Sequence, residues 1–166
     1  MKIALDAVGG DFGLATNIDG AVQAANAFGV EPVLVGPAAK IAAELSARGV
    51  AGDKRFEIVD APDLIAMDEE PASACRAKPK SSIMVCAELV AAGRAAAMFS
   101  AGNSGATMAA VTLWHLKRIP GILRPAIAVP IPTSRGVTVL LDAGANVDCK
   151  PWHLVQFAMM GSLLAR

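Results

Sequence analysis

The sequence predicts an α/β fold: a mostly parallel sheet with helices on both faces. Two observations predict it. Short, nearly continuous apolar runs alternate with stretches of helical periodicity, and three of the runs end in a glycine-bearing junction. Unbroken apolar runs are what strands buried on both faces look like, and strand–helix alternation is the pattern of a doubly covered sheet. Ligands bind such sheets at the carboxyl ends of the strands.

The elements follow in order. KIALDA (2–7) reads as a buried strand. Residues 14–28 read as a helix, with Ala15, Ile18, Val22 and Ala25 spaced by three and four. PVLVG (32–36) is a second strand, closed by Gly36 and Pro37, and 38–48 a helix that Gly49 terminates. FEIVDA (56–61) is a third strand. Residues 62–80 are loop plus a short helix, and 82–92 a helix ending at Gly93. AAMFSA (96–101) is a fourth strand, followed by a helix over 103–117. AIAVPIP (126–132) is extended, and its prolines assign it to a sheet edge or strand end. VTVLLDA (137–143) is a further strand, and Pro151 opens a terminal helix. That helix is strongly apolar and has no polar tail, so the chain is expected to be a fragment of a longer one.

Composition removes several function classes. The 166 residues suffice for one domain with a core. Lys and Arg number 15 and so do Asp and Glu, with no tyrosine, which argues against nucleic acid as partner. Cys75, Cys86 and Cys149 are far apart and form no metal or disulfide pattern, as expected of thiols in a reducing cytoplasm. The run around 83–116 is broken by Glu88, Arg94 and Asn103 and is not a membrane span. A cytoplasmic protein is expected.

The junctions are IALDAVGGDFG (3–13), FSAGNSGATMAA (99–110) and TVLLDAGANVD (138–148). None is a GxxxxGK[ST] loop, a GxGxxG fingerprint or a GxSxG elbow. A helix start offers unpaired amides and partial positive charge, glycines admit close approach, and Asn103 and Ser104 add hydrogen-bonding groups. An anion suits such a place, although a well-capped tight turn needs the same residues. ACRAKPKSSIM (74–84) adds Arg76, Lys78 and Lys80 before Ser81 and Ser82, as either a solvated basic loop or a phosphate-capturing one. No metal is expected at Asp142 and Asp148. His115 suits a helix end, and His153 a surface or packing role.

SAGNSGATM (100–108), DAGANVDCKP (142–151) and HLVQFAMMGS (153–162) resemble the phosphate acyltransferases (acyl-carrier-protein:phosphate transacylases) of bacterial phospholipid synthesis. So do LDAVGGDFG (5–13), RAKPKSSIM (76–84) and GILRPAIA (121–128), in order over the whole chain. Val8 replaces a usual methionine, Ser104 stands where threonine is common, and family chains are about twice as long. The resemblance implies a Rossmann-like three-layer α/β/α fold like that of isocitrate and isopropylmalate dehydrogenases. Residues 1–166 would be the N-terminal part of a single acyltransferase domain. It implies acyl transfer from acyl carrier protein to inorganic phosphate, without cofactor, and a product used by a membrane glycerol-3-phosphate acyltransferase. It also implies a homodimer and peripheral contact with the inner face of the cell membrane through the absent half.

On this reading Gly102, Asn103, Ser104 and Gly105 surround phosphate or the acyl-phosphate head, with Asn103, Ser104 and Lys150 catalytic. Lys78, Lys80, Ser81 and Ser82 complete the anion pocket. Asp6, Gly9, Gly10 and Asp11 form one wall, and Asp142, Asn146, Asp148 and Lys150 the other. Lys117, Arg118 and Arg124 are candidate contacts for an acidic carrier. The rival readings are a phosphotransacetylase-like enzyme of coenzyme A thioesters, a non-catalytic phosphate-binding fragment, and a nicotinamide-dependent dehydrogenase, which the missing fingerprint disfavours.

Overall fold

A computed structural model describes residues 1–116 and 118–166. The chain divides into two compact units, Met1–Lys117 and Arg118–Arg166.

The first unit is built on β1 (Lys2–Asp6), β2 (Glu31–Gly36), β3 (Glu57–Asp60) and β4 (Ala97–Phe99). They pair in the order β3-β2-β1-β4, all parallel, with Leu5 opposite both Leu34 and Phe99. Connecting helices are α1 (Gly13–Phe28), α2 (Ala38–Ala47), α3 (Pro71–Ala77), α4 (Ser82–Ala91) and α5 (Ser104–Ala109). Alternation along each strand divides the core. Leu5, Ala7 and Leu34 face Ile18, Ala21, Ala25, Ile41 and Leu45 of α1 and α2. Ala4, Val33 and Val35 face Cys86 and Leu89 of α4. Each enclosed Leu, Ile or Val contributes about 1.5–3 kcal/mol relative to exposure. A third cluster joins α3, α4 and α5 around Ile83 through Ala74, Cys75, Ala87 and Ala106, small residues that let helices close in. The Cys75 thiol donates to the Ala106 carbonyl at 3.5 Å.

The predicted elements of this unit are present, most with ends shifted by a single residue. The fourth strand shrinks from six residues to three because Ser100 turns back onto β1. The helix expected over 103–117 is α-helical only to Ala109 and continues as a π-helical stretch, Ala110–His115. There the Thr112 hydroxyl bonds the Met108 carbonyl and the Leu116 amide reaches Val111, five residues back. Lys117 lies outside the described residues.

The second unit holds β5 (Ala128–Thr133), β6 (Gly136–Leu141) and α6 (Pro151–Leu164). The two strands pair antiparallel as a separate hairpin, Ala128 opposite Leu141. This corrects the expectation that they extend a mostly parallel sheet. Two residues separate them, and a parallel crossover needs a dozen or more. α6 buries His153 and Phe157 and exposes Leu154, Val155, Met159 and Leu163. No helix among the described residues is long and apolar enough to cross a membrane.

Candidate functional site

The carboxyl ends of β1 and β4 are joined side by side. Asp6, the last residue of β1, is fully enclosed. Its Oδ1 accepts from the amides of Val8 (3.3 Å) and Gly9 (3.1 Å), and its Oδ2 from the Ser100 hydroxyl (2.7 Å). Ser100 Oγ in turn accepts from the Gly102 amide at 3.0 Å. Asn17 Nδ2, on the first turns of α1, donates to the carbonyls of Ala7 (3.1 Å) and Gly9 (2.8 Å). The glycines serve this joint. A Cβ on Gly9 would lie 2.3 Å from Asp6 Oδ2 and 2.9 Å from the Gly102 nitrogen. Gly10 has φ +88° and would meet Ala101 at 3.0 Å. Asp11, beyond them, is exposed.

Asn103 is nearly enclosed, at 6% exposure, and every polar atom of its side chain is used. Oδ1 caps α5 by accepting from the Ala106 amide at 2.9 Å. Nδ2 lies 3.1–3.3 Å from the carbonyls of Ala66, Met67 and Glu69. The side chain thus ties the 64–70 loop to the start of α5. Ser104 is exposed as the first residue of α5, and neither its amide nor that of Gly105 has an acceptor among the described hydrogen bonds. A Cβ on Gly105 would sit 2.6 Å from Pro71 Cγ, so this glycine admits the start of α3.

The basic stretch divides. Lys78 Nζ is held by both carboxylate oxygens of Glu69 (2.7 Å each) and the Leu64 carbonyl (2.9 Å). Lys78, together with the Ala66 amide, holds the Glu69 carboxyl below its usual range. Lys80 is exposed. Ser81 and Ser82, at the start of α4, are fully enclosed, and neither hydroxyl has a partner among the described residues.

The third junction forms its own network in the second unit. Asp142 Oδ1 accepts from the Ile127 amide (2.8 Å) and Oδ2 from the Asn146 amide (2.7 Å) and Nδ2 (3.1 Å), while Nδ2 also reaches the Pro125 carbonyl (2.9 Å). Burial opposes ionisation of Asp142, but these donors outweigh it and hold the carboxyl low. Asp148 is exposed. The Lys150 ammonium lies 5.2 Å from the Trp152 ring centre, and its backbone amide donates to His153 Nδ1 at 3.2 Å. Arg118 donates to the Leu123 carbonyl at 3.0 Å, and Arg124 is exposed.

Within the first unit, therefore, Asp6, Gly9, Gly10 and Gly102 form one cluster and Asn103 and Lys78 grip one loop. Sequence reasoning missed Ser100, Asn17 and Glu69. Ser100 carried a signal, a hydroxyl two residues before a glycine at a strand end. Asn17 and Glu69 carried none, because their partners are backbone carbonyls and a lysine brought near by folding.

These features define a parallel α/β protein with two fused, glycine-bearing strand ends beside helix starts, an arrangement suited to small anionic ligands. The chain belongs to the family described as Fatty acid synthesis protein, whose profile matches residues 1–166. It is 51% identical over 163 residues to the phosphate acyltransferase of Elusimicrobium minutum, covering 98% of this chain and 48% of that one. It is 52% identical over 165 residues to that of Desulforamulus reducens, with 99% and 49% covered. For Geobacter sulfurreducens the identity is 50% over 166 residues, with 100% and 47% covered. The chain spans about half the length of the curated relatives it matches.

Proposed function

We propose that the chain is part of a phosphate acyltransferase that makes acyl phosphate from acyl–acyl carrier protein and inorganic phosphate. One structural observation carries the reading: the part-buried Asp6–Ser100 bond fuses the two glycine junctions at the carboxyl ends of adjacent parallel strands. The similarity to relatives named phosphate acyltransferase supplies the anion. The finer fold, like that of isocitrate and isopropylmalate dehydrogenases, is part of the same proposal.

The chemistry asks little covalent work of the protein. A phosphate oxygen attacks the thioester carbonyl carbon, and an oxyanion develops. The intermediate collapses with cleavage of the C–S bond, and the proton that hydrogen phosphate gives up ends on the carrier thiol. The protein must hold the dianion, aim it, and stabilise the oxyanion with fixed donors. Ser104 and the free amides at the α5 start are candidates for contact with the reacting groups. Asn103, whose side chain is spent on Ala106 and the 64–70 loop, acts as a positioning residue. Lys80 supplies an accessible cation, and Lys78 acts through the loop it clamps. Asp6, Gly9, Gly10 and Gly102 form the rigid floor. Lys150, with Asp142, Asn146 and Asp148, enters through the family resemblance.

A homodimer, peripheral membrane contact and hand-over of acyl phosphate to a glycerol-3-phosphate acyltransferase complete the reading. The test is phosphate-dependent release of carrier thiol from an acyl-carrier substrate, run on this chain and on a full-length relative. Release by the relative alone assigns the activity to the longer protein, with this chain as one portion of its site. Release by neither, with both folded, overturns the reading. Equal use of acyl-coenzyme A would favour a phosphotransacetylase-like enzyme.

A further inference from the structure

We propose that the start of α4 is an oxyanion seat that takes inorganic phosphate, held by the hydroxyls of Ser81 and Ser82 and the amides of Ile83 and Met84. The inference rests on the phosphate reading above and deepens it by naming where the dianion sits.

The first observation is the pair of orphaned hydroxyls. Ser81 and Ser82 are both fully enclosed, and both Oγ atoms lack a partner among the described residues. Buried polar side chains are nearly always paired, so two adjacent exceptions demand an explanation.

The second observation is the helix end on which they lie. α4 runs ten residues from Ser82, with Ser81 as its N-cap. Ser81 has φ −69° and ψ 151°, the extended backbone from which a serine ordinarily accepts from the second or third helical amide. It makes no such bond. The amides in those positions, Ile83 and Met84, have no acceptor among the described hydrogen bonds, although both residues are buried. Four donors therefore lie at one helix start without an acceptor among the described residues. The starts of α3 and α5 are capped by side chains, with Glu70 accepting from the Ala72 and Ser73 amides and Asn103 from Ala106. The N-cap residues of α1 and α2, Phe12 and Pro37, make no such bond, and neither carries a hydroxyl.

An oxyanion satisfies all four donors at once, and the helix end favours its charge. No acidic residue occupies the first turn of α4. Lys80 precedes the seat and is exposed, on a groove it shares with Asp60, Glu88 and Arg94. The covering chain is the 61–70 segment, where Asp63 bridges to Ser81 and its carbonyl accepts from the Ser82 amide at 3.2 Å. Phosphate enters as that segment shifts, against the Lys78–Glu69 clamp.

The experiment is calorimetric titration of the full chain with sodium phosphate at constant ionic strength, with chloride as the control, on the wild type, Ser81→Ala and Ser82→Ala. The expected result is at least about tenfold weaker phosphate binding in each variant, or one to two hydrogen bonds lost. Thermal midpoints without phosphate should be unchanged or raised, because each substitution removes an unpartnered buried hydroxyl. Equal binding by wild type and both variants overturns the seat, as does a folded wild type that binds no phosphate. Thiol release on the full-length relative separates the two claims. Phosphate-dependent release that survives both corresponding serine substitutions leaves the transferase standing and removes the seat. Serine-dependent phosphate binding without phosphate-dependent release does the reverse.

Discussion

Ser100 donates its hydroxyl to the carboxylate of Asp6 at 2.7 Å, joining residues 94 positions apart in the chain. The bond does two jobs. It completes a carboxylate that already receives the Val8 and Gly9 amides, and it orients the serine oxygen to receive the Gly102 amide. Ser100→Ala removes both contacts and leaves a carboxylate oxygen and an amide unpaired in a buried setting. The expected loss is about 1–3 kcal/mol. Urea unfolding should show a lower midpoint with an unchanged slope. An unchanged midpoint would mean that the two strand ends are held by packing alone.

Two glycines make opposite predictions. A methyl on Gly9 would meet Asp6 Oδ2 at 2.3 Å and the Gly102 nitrogen at 2.9 Å, and neither is the end of a flexible chain. Gly9→Ala should cost about 3 kcal/mol or more. Gly20 lies inside α1, and a methyl there meets nothing within 4 Å. Gly20→Ala should stabilise by about 0.5–1 kcal/mol through helix propensity. Thermal melts of the two variants should move in opposite directions from the wild type.

The thiols should sort by burial. Cys75 and Cys86 are enclosed and Cys149 is exposed. Burial pushes the Cys86 thiol far up, with nearby Asp6 adding to the effect, and burial raises Cys75 as well. A thiol kept protonated is a poor nucleophile. Titration with an aromatic disulfide at pH 8 should release one fast equivalent in the native chain and three in denaturant. Cys149→Ser should abolish the fast phase.

The first four strands were legible because each lies in a short apolar run bounded by polar or glycine residues, although only β1 and β2 are buried along most of their length. The antiparallel pairing of 128–133 with 136–141 does not follow from apolar content, which is the same in parallel and antiparallel strands; only the shortness of the connection encodes it. At the site, the glycines and Asn103 stood out by composition, but their use did not. Gly105 reads as an approach for ligand and admits Pro71. Lys78 reads as a free cation and is clamped by Glu69, nine residues earlier, in the irregular 64–70 loop that precedes α3. Such partners depend on the path of that loop, and no periodicity encodes it.

The Lys78–Glu69 pair makes the 64–70 loop sensitive to acid. Lys78, then the Ala66 amide, hold the Glu69 carboxyl below the usual 4.5. A depressed carboxyl contributes stability above its unfolded value, and that contribution is lost as pH falls through the folded one. The loop should therefore loosen below about pH 4.5. In Glu69→Gln the stability difference from wild type should be largest near neutrality and shrink toward pH 3. A difference that stays constant with pH would show that the pair contributes no net charge interaction.

Asn103 gives the sharpest separation of helix capping from loop anchoring. Its oxygen caps α5, and its nitrogen holds three carbonyls of the 66–69 stretch. Asn103→Asp keeps the cap and replaces the donor with a second acceptor facing those carbonyls. Asn103→Ala removes both functions, and the cap alone is worth about 1 kcal/mol. Hydrogen exchange reads the two separately. In Asn103→Asp the amides of Ala106 and Thr107, which bond Asn103 Oδ1 and its carbonyl, should stay protected. The 64–70 amides should exchange faster. In Asn103→Ala both groups should exchange faster. Acyl-phosphate formation by a full-length relative carrying the corresponding substitutions should then follow the loop and not the cap, falling in both. Activity retained in the aspartate variant would show that the loop can loosen without disturbing the reacting groups, and would remove Asn103 from the positioning role.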